Sequence, residues 1–427
     1  MPIIEYRSEA DFAGEMDRAD PLAAYRERFH FPKGPEGSNL IYFTGNSLGL
    51  MPKAAREYVN EDLQAWEKLA LEGHVKGKHP WLPYHEFLTN QMARIIGAKP
   101  IETVVMNSLT VNLHLMMVSF FKPMDGRLKV VIEKGAFPSD QYAIESQIRC
   151  HGRDPREILI ELTPRAGEST LRTEDIVETI EREGDSITMV LLGGVNYYTG
   201  QAFDMKMICE AGHRVGAKVG FDLAHAAGNL ELQMHDWDVD FAVWCSYKYL
   251  NGGPGAVGGA FVHERHANSF DLCRLAGWWG HDKQTRFQMG PVFKPIPGAE
   301  GWQISNPPIL QMAALRASLE IFDEIGMVAL REKSEKLTGY LEYLFDQIGD
   351  ERISVITPRD PDQRGCQLSI RVKGEDKSVY ERLVSRGVSA DWREPGVIRV
   401  APTPLYNTFQ EVFRFSKILR DVLDSNA

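Results

Sequence analysis

The chain has 427 residues, of which 43% are hydrophobic and 25% charged, so it is long enough for two or three domains with large cores. Its 48 lysines and arginines against 59 aspartates and glutamates give a formal net charge of −11, which argues against nonspecific binding to nucleic acid or to an anionic membrane. Its five cysteines include no C-x-x-C pair, so neither a disulfide framework nor a zinc ribbon is indicated, and no metal site is predicted.

The amino terminus and the apolar segments favour a cytoplasmic protein without a membrane partner. Glu5, Glu9 and Asp11 interrupt the first residues, which is unlike a signal peptide. The longest apolar runs, such as 115–121, are far too short to span a bilayer. We therefore expect reduced thiols in a cytosolic protein.

Helical patterns predominate in the first hundred residues. Residues 8–30 alternate acidic, apolar and basic positions in a way that is typical of a helix. After a turn-rich loop at 44–49, apolar residues at helical spacing predict a long amphipathic helix from Pro52 to about Leu71. A further helix is predicted at 85–96.

From about residue 101, strand-like apolar runs alternate with helical stretches. The predicted strands are 103–106, 129–132, 157–162, 187–192, 218–221, 241–244 and 260–263. The predicted helices are 110–121, 139–150, 173–183 and 204–215. This alternation predicts an α/β fold, in which a mostly parallel sheet is covered by helices on both faces.

The last third of the chain begins with a long connection, 276–308, whose aromatic residues and prolines are typical of a functional loop. A helical pattern then runs from Pro308 to about residue 348. Short strands and helices follow it, at 353–356, 367–372, 376–386, 397–400 and 407–424. We predict an amino-terminal segment (1–40), a large domain (41–308) and a smaller α+β domain (309–427).

Asp222 ends one of the predicted strands, and His225 follows it. Ligands of parallel α/β sheets bind beyond the carboxyl ends of the strands, so Asp222 would face a ligand there. Its charge could hold a protonated pyridinium nitrogen. Taken alone, the pattern is more typical of an aspartate that caps the next helix, beside a surface histidine.

Lys248 follows the next predicted strand, 241–244. In apolar surroundings, desolvation favours the neutral and nucleophilic form of a lysine, so Lys248 is a candidate Schiff-base amine, although most single loop lysines are simply solvated. A glycine-rich turn follows at 251–259, where Pro254 excludes a phosphate-binding P-loop. A strand-end aspartate, then a lysine after the next strand, then a glycine-rich turn occur in this order along the chain, as they do in fold-type-I pyridoxal-phosphate enzymes.

Motifs from about residue 42 to 402 carry a closer resemblance. They are Tyr42-Phe-Thr-Gly-Asn-Ser-Leu-Gly-Leu50, Met106-Asn-Ser-Leu-Thr-Val-Asn-Leu-His114, Phe137-Pro-Ser-Asp140, Tyr198-Thr-Gly-Gln201, Asp222-Leu-Ala-His225, Ser246-Tyr-Lys-Tyr-Leu-Asn251, Gly277-Trp-Trp-Gly-His281, Ile304-Ser-Asn-Pro-Pro308 and Arg399-Val-Ala-Pro402. Together they resemble the kynureninases, in the class V aminotransferase branch. The resemblance implies a homodimer that uses pyridoxal 5'-phosphate to hydrolyse kynurenine or 3-hydroxykynurenine to alanine and an anthranilate, in tryptophan catabolism or NAD biosynthesis.

The resemblance also implies the contacts of the cofactor. Lys248 would form the Schiff base, Asp222 would pair with the pyridinium nitrogen, and His225 would lie near the ring. Tyr247 would bond the phosphate and take part in proton transfer. The other implied contacts are Leu109 and Thr110 at the phosphate, Phe137 stacked on the ring, Pro138, Ser139, Asp140, Gly193, and Trp278 and Asn306 from the neighbouring subunit.

Substrate contacts are implied at four positions. Arg399 would clamp the substrate carboxylate, for which a guanidinium fork is well shaped; the alternative is a surface salt bridge. His74, His281 and Asn306 would surround the aromatic ring of the substrate. One position departs from the family pattern: relatives have a hydroxyl residue where this chain has Gly193, so a polar contact would be missing, or supplied by the backbone or by Asn196.

Two other interpretations stay open. A cysteine desulfurase, or another class V enzyme, would need a reactive cysteine on a mobile loop, for which Cys366 is the candidate in the predicted small domain. Desulfurases usually have histidine where Tyr247 precedes Lys248. A catalytically silent scaffold of the same fold would not need Asp222, Lys248 and Arg399 together.

Overall fold

The computed structural model describes residues 4–34, 37–124 and 126–425. The α-helices are α1 (Ala10–Arg18), α2 (Ala55–Leu69), α3 (Glu86–Ile96), α4 (Leu109–Phe120), α5 (Pro138–Cys150), α6 (Pro155–Ile158), α7 (Thr173–Glu183), α8 (Met205–Arg214), α9 (Ile309–Ile325), α10 (Met327–Ile348), α11 (Lys377–Ser385) and α12 (Phe409–Asp424). The strands are β1 (Ile41–Tyr42), β2 (Thr103–Val105), β3 (Lys129–Glu133), β4 (Leu159–Leu162), β5 (Ile187–Gly193), β6 (Lys218–Asp222), β7 (Phe241–Trp244), β8 (Gly259–Val262), β9 (Ile353–Val355), β10 (Leu368–Val372), β11 (Val388–Ser389), β12 (Asp391–Arg393) and β13 (Val397–Val400).

A seven-stranded sheet forms the centre of the larger part, in the order β2-β8-β7-β6-β5-β3-β4. Its neighbours from β7 to β4 pair in parallel, whereas β8 runs antiparallel to both β2 and β7. The predicted α/β fold with a mostly parallel sheet is confirmed.

Both faces of this sheet are buried. Val131 and Val190 point into one hydrophobic cluster, and Val130 and Met189, their neighbours along the strands, point into another. Side chains alternate between the faces of a strand, so a strand that is apolar at every position must be covered on both sides. This explains why the strands appear in the sequence as continuous apolar runs.

The carboxyl ends of four parallel strands meet at one edge of the sheet. β3 ends at Glu133, β5 at Gly193, β6 at Asp222 and β7 at Trp244. Leu223 N donates to Val243 O, and Gly194 N donates to Asp222 O, so the backbone just beyond the strand ends is still held in register. Polar residues that follow these strands are therefore brought together.

A smaller antiparallel sheet, β12-β13-β10-β9, packs with α10, α11 and α12 in a separate hydrophobic cluster. The amino-terminal helix α1 joins this cluster, where the rings of Phe12 and Tyr340 lie 5.6 Å apart. The short strand β1 pairs in parallel with β11 and ties residues 41–42 to the carboxyl-terminal part. Helix α9, by contrast, contributes Met312 and Leu315 to the core of the larger part. The division at residues 308 and 309 stays a prediction.

Three segments differ from the sequence-based prediction. The single helix predicted from Pro308 to residue 348 is wrong: it is broken at Gly326, whose φ of 79° is outside the helical range. Residues 157 and 158 belong to α6, since the Asp154 side chain accepts a hydrogen bond from Arg156 N and caps this short helix. The helix predicted at 8–30 ends at Arg18, and a 3-10 helix follows at Ala23–Arg28.

Over the described ranges, the helices are either too short or too polar to cross a lipid bilayer.

Candidate active site

A small cavity of about 80 Å³ lies at the carboxyl edge of the central sheet. It gathers side chains from β6, from the turn after β7 and from the first turns of α4 and α5. The predicted site residues that line it are Leu109, Thr110, Phe137, Ser139, Asp140, Gly193, Asp222, His225, Tyr247 and Lys248. Pro138 begins α5 but is not part of the lining.

Lys248 and His225 are in direct contact on one wall of the cavity. Both are buried, and Lys248 Nζ lies 2.9 Å from His225 Nε2. Burial, and then the positive charge of Lys248, lower the pKa of His225 well below its usual value, so the imidazole is neutral and can share a hydrogen bond with Lys248 Nζ. His225 Nδ1 is buried with no hydrogen-bond partner among the described residues. A buried polar atom without a partner costs about 1–3 kcal/mol, which favours a ligand that bonds it.

Asp222 and Asp140 form a carboxyl pair in the lining of the same cavity. Ala224 N donates to Asp222 Oδ1 at 2.7 Å. Burial raises the pKa of Asp222, while that backbone bond, Lys248 and Asp140 lower it. Burial and the charge of Asp222 raise the pKa of Asp140 well above its usual value. Of the two carboxyls, Asp140 therefore holds a proton more readily, and Asp222 is the one that ionises more readily.

The end of the cavity beside α4 is rich in hydrogen-bond donors. The side chain of Ser108, which precedes α4, makes no capping bond, so the N–H groups of the first helical turn are available to an anion. The hydroxyl oxygens of Thr110 and Ser139 lie 2.8 Å apart at the same place. Burial raises the pKa of Tyr247 far above its usual value, so its hydroxyl stays protonated as a donor.

Phe137 supplies an aromatic surface. Its ring centroid lies 5.8 Å from Lys248 Nζ and 5.2 Å from the ring of Tyr197, which meets it edge to face. Its ring is exposed, whereas Asp140, Asp222 and Lys248 of the same lining are buried. An accessible phenyl face over the cavity can stack on a planar ligand.

Glu133 also lines the cavity, and the sequence analysis did not single it out. Asn196 Nδ2 donates to Glu133 Oε2 at 2.7 Å, and Gly193 N donates to Oε1 at 3.4 Å. Burial raises the pKa of Glu133 to about 7. A Cβ atom at Gly193 would lie 3.0 Å from Oε1, so the Glu133 carboxyl, bound by Asn196, takes the space beside this glycine.

The signal for Glu133 was present in the sequence, because it ends an apolar strand just as Asp222 does. Val195, Tyr197 and Ala224 line the cavity as well. They carry no such signal, because they lie in irregular turns beyond β5 and β6.

Arg399 is fully buried rather than part of a surface salt bridge. Its Nε donates to Asp391 Oδ1 at 2.6 Å, and its Nη2 donates to the other Asp391 oxygen and to Ser47 Oγ at 3.0 Å. Its Nη1 donates to the carbonyl oxygen of Tyr197 at 2.7 Å, which connects the guanidinium to a residue of the cavity wall.

Besides Pro138 and Arg399, four more predicted residues do not line the cavity of this single chain. His74 Nδ1 lies 3.1 Å from Leu71 O, and His281 Nε2 lies 3.0 Å from Thr285 Oγ1. Trp278 and Asn306 are exposed. Their roles, predicted for a site shared between subunits, stay predictions.

Comparison with known proteins gives consistent results over almost the whole chain. The profile of the kynureninase C-terminal domain matches residues 330–419. Kynureninase of Myxococcus xanthus is 60% identical over 414 residues, which is 97% of each chain. Kynureninase of Koribacter versatilis is 60% identical over 415 residues, and that of Flavobacterium psychrophilum is 52% identical over 418.

Solved structures with the same fold have much lower sequence identity. A cysteine desulfurase from Thermococcus onnurineus superposes with a TM-score of 0.73 at 17% identity, covering 100% of both chains. A cysteine desulfurase from Escherichia coli gives a TM-score of 0.75 at 15% identity, covering 95% of this chain and 98% of the other. At this identity, the likeness establishes the fold alone.

Proposed function

The chain belongs to the kynureninase family, and from this membership we propose that it hydrolyses L-kynurenine or 3-hydroxy-L-kynurenine to the corresponding anthranilate and L-alanine. The observation that carries the proposal is the 60% identity with the Myxococcus xanthus kynureninase over 97% of both chains. The protein is a hydrolase that acts on a carbon–carbon bond, and its cofactor is pyridoxal 5'-phosphate.

The cavity fits this cofactor. The Asp222 carboxylate suits a pyridinium N–H, the α4 amino terminus with Thr110 and Ser139 suits a phosphate, and the Phe137 ring suits a planar heterocycle. The unpartnered His225 Nδ1 offers a bond to a ring substituent. When bound, pyridoxal phosphate supplies an electron sink for negative charge on the substrate carbons.

We assign the chemistry to three side chains. Lys248 would hold the cofactor, and its Nζ would take the α-proton of the substrate; neutral His225, at 2.9 Å, can orient this amine. Asp222 keeps the ring nitrogen protonated. The Tyr247 hydroxyl, which stays protonated, donates a proton as the carbon–carbon bond breaks.

A direct assay tests the proposal. Purified protein supplied with pyridoxal phosphate is expected to release alanine and an anthranilate from kynurenine or 3-hydroxykynurenine in equal amounts. If it released neither product from either substrate, the proposal would be wrong. Family membership also leads us to propose that the enzyme works in the cytoplasm, in tryptophan catabolism or NAD biosynthesis.

The structure does not favour a cysteine desulfurase. Cys366, the candidate nucleophile, is fully buried, and burial raises the pKa of its thiol to about 12. It packs in a small cluster with Tyr249 and Ala401 rather than on a mobile loop. A thiol that stays protonated and inaccessible is a poor nucleophile.

We predict a homodimer with shared active sites. Large apolar side chains are exposed in two regions, among them Trp66, Leu71 and Val75 around the end of α2, and Phe287 and Met289 in the 276–308 loop. Exposed apolar surface of this extent is typical of an interface. Sedimentation at the assay concentration is expected to show a dimer, whereas a fully active monomer would contradict the prediction.

A preference for 3-hydroxykynurenine is also expected. His74, His281 and Asn306 would lie around the aromatic ring of the substrate, where they could bond its hydroxyl. A buried polar group left without a partner costs about 1–3 kcal/mol, so kcat/KM should be higher for 3-hydroxykynurenine than for kynurenine.

Asn306→Ala should narrow this difference, with Asn268→Ala, an exposed asparagine before the same loop, as the control. The ratio of kcat/KM for the two substrates measures the effect. A wild-type preference for kynurenine would refute the prediction, and an unchanged ratio in Asn306→Ala would remove this residue from it.

A further inference from the structure

The guanidinium of Arg399 is already extensively bonded within the protein. Within the described residues, hydrogen bonds to Asp391, Ser47 and Tyr197 use four of its five N–H donors. One N–H of Nη1 is left. Arg399, which by the proposed function binds the substrate carboxylate, is therefore held in one orientation before the substrate binds. Among the described residues, one N–H of Nη1 has no acceptor and can donate to that carboxylate.

Asp391 is the centre of this arrangement. Its two oxygens accept from Nε and Nη2 of Arg399, and it also bonds the Ser47 hydroxyl. Burial acts to raise its pKa, but the hydrogen bonds and charge of Arg399 outweigh burial, so the pKa of Asp391 is lowered and the group is ionised. A second guanidinium, that of Arg393, lies 3.5 Å from Asp391 Oδ2.

The residues of this cluster come from separate parts of the chain. Ser47 lies in the loop after β1, Asp391 begins β12, and Arg399 lies in β13, directly opposite Asp391 in the antiparallel pair. The Tyr197 carbonyl belongs to the turn beyond β5, whose residue Asn196 is bound to Glu133 in the cofactor cavity. Asp391 therefore links the smaller sheet to the wall of the cavity through one buried guanidinium.

We propose that Asp391 is the positioning residue for the substrate carboxylate: it fixes the Arg399 guanidinium so that only its Nη1 edge is offered to the ligand. This inference rests on the proposed function and adds to it a residue that does not touch the substrate. Two effects of removing the Asp391 charge oppose each other. The site would become more positive, which favours an anion, but a buried guanidinium would lose its bidentate partner and its fixed orientation.

The loss of orientation is expected to dominate. Arg399 is 1% exposed, so solvent cannot replace the lost partner, and breaking a buried pair by removing one member is far more damaging than breaking a surface pair. A guanidinium that is already oriented binds the substrate carboxylate without losing further conformational entropy. Substrate binding, rather than the chemical step, should therefore be weakened.

The test is Asp391→Asn, which keeps the size of the side chain and removes its charge. We expect KM for kynurenine to rise about tenfold or more while kcat changes less than about threefold. This pattern means that an interaction made equally in the bound substrate and in the transition state has been lost. The matched control is Asp346→Asn, which breaks a two-point contact with Arg359 on the exposed surface of the same part of the chain and should leave both constants unchanged.

A ligand without the carboxylate separates positioning from general disruption. The amine that corresponds to decarboxylated kynurenine should inhibit the wild type and Asp391→Asn with the same Ki. In an Arg399→Gln background, Asp391→Asn should add less than about a twofold change in KM, since both substitutions disable one unit. If Asp391→Asn fails to fold, Ser47→Ala should give the same selective loss, at about two- to fivefold.

Three results would overturn the inference. They are an unchanged or lowered KM in Asp391→Asn, an equal loss for the ligand without the carboxylate, and a full additional effect in the Arg399→Gln background. Wild-type protein that hydrolyses neither kynurenine nor 3-hydroxykynurenine would instead refute the proposed function, so the two failures are distinguishable.

Discussion

Replacing Lys248 by alanine is expected to abolish hydrolysis of kynurenine and the covalent attachment of pyridoxal phosphate. Lys248 is buried, its Nζ lies 2.9 Å from His225, and it is the lysine that lines the described cavity together with Asp222. An amine fixed in this way serves first as the attachment point and then as the base, so its loss removes two functions at once.

Two measurements on the Lys248→Ala protein check this expectation. Turnover should fall to the background rate, and treatment with borohydride should leave no cofactor bound in the denatured protein. Lys99→Ala is the control, because Lys99 is an exposed lysine of the same part of the chain whose amine pairs with Glu264. A Lys248→Ala protein that still retained reducible cofactor would show that another amine carries it.

Replacing Asp222 by alanine or asparagine is expected to remove most of the activity and leave the fold intact. Asp222 lies beside Asp140, and because the pKa of Asp140 is raised the more strongly, Asp222 is the carboxyl of the pair that ionises more readily. Without that charge, the protonated ring nitrogen has no counter-ion in a buried site, and the cofactor becomes a poor electron sink. We therefore expect a fall in kcat of at least about a hundredfold, which corresponds to about 2.7 kcal/mol of lost transition-state stabilisation.

Asparagine tests the charge and alanine tests the whole side chain. In both variants, kcat, the amount of bound pyridoxal phosphate and its absorbance spectrum should be measured together. Asp154→Asn, at the exposed cap of α6, is the control. Near-normal turnover by a soluble, cofactor-loaded Asp222→Ala protein would remove Asp222 from the mechanism.

The cofactor side of the site could be predicted because its signals are local. Asp222 and Glu133 each terminate an apolar run, and Lys248 stands just beyond another, so periodicity alone places them at strand ends. Parallel pairing of β3, β5, β6 and β7 then brings those ends to one edge. The same rule places Glu133 at this edge, since it ends the apolar strand β3.

The substrate side could not be predicted in the same detail, because it depends on contacts between distant segments. Nothing near Arg399 in the sequence shows that Ser47 and Tyr197 bond it. Asp391 lies eight residues before Arg399, and only the turn between β12 and β13 places the two side by side. Likewise, the break at Gly326 follows from a positive φ that a helical apolar pattern does not reveal.

The sequence by itself determined the fold class, the strand-end positions of Asp222 and Lys248, and the family, because hydrophobic periodicity and short motifs are properties of neighbouring residues. The tertiary structure alone decided how charge is distributed among the buried groups. Burial and the neighbouring Asp222 raise the pKa of Asp140, and the buried Arg399 is fixed because Asp391 and Ser47 bond its guanidinium. Burial and the distance between charges set these energies, and both are properties of the folded chain.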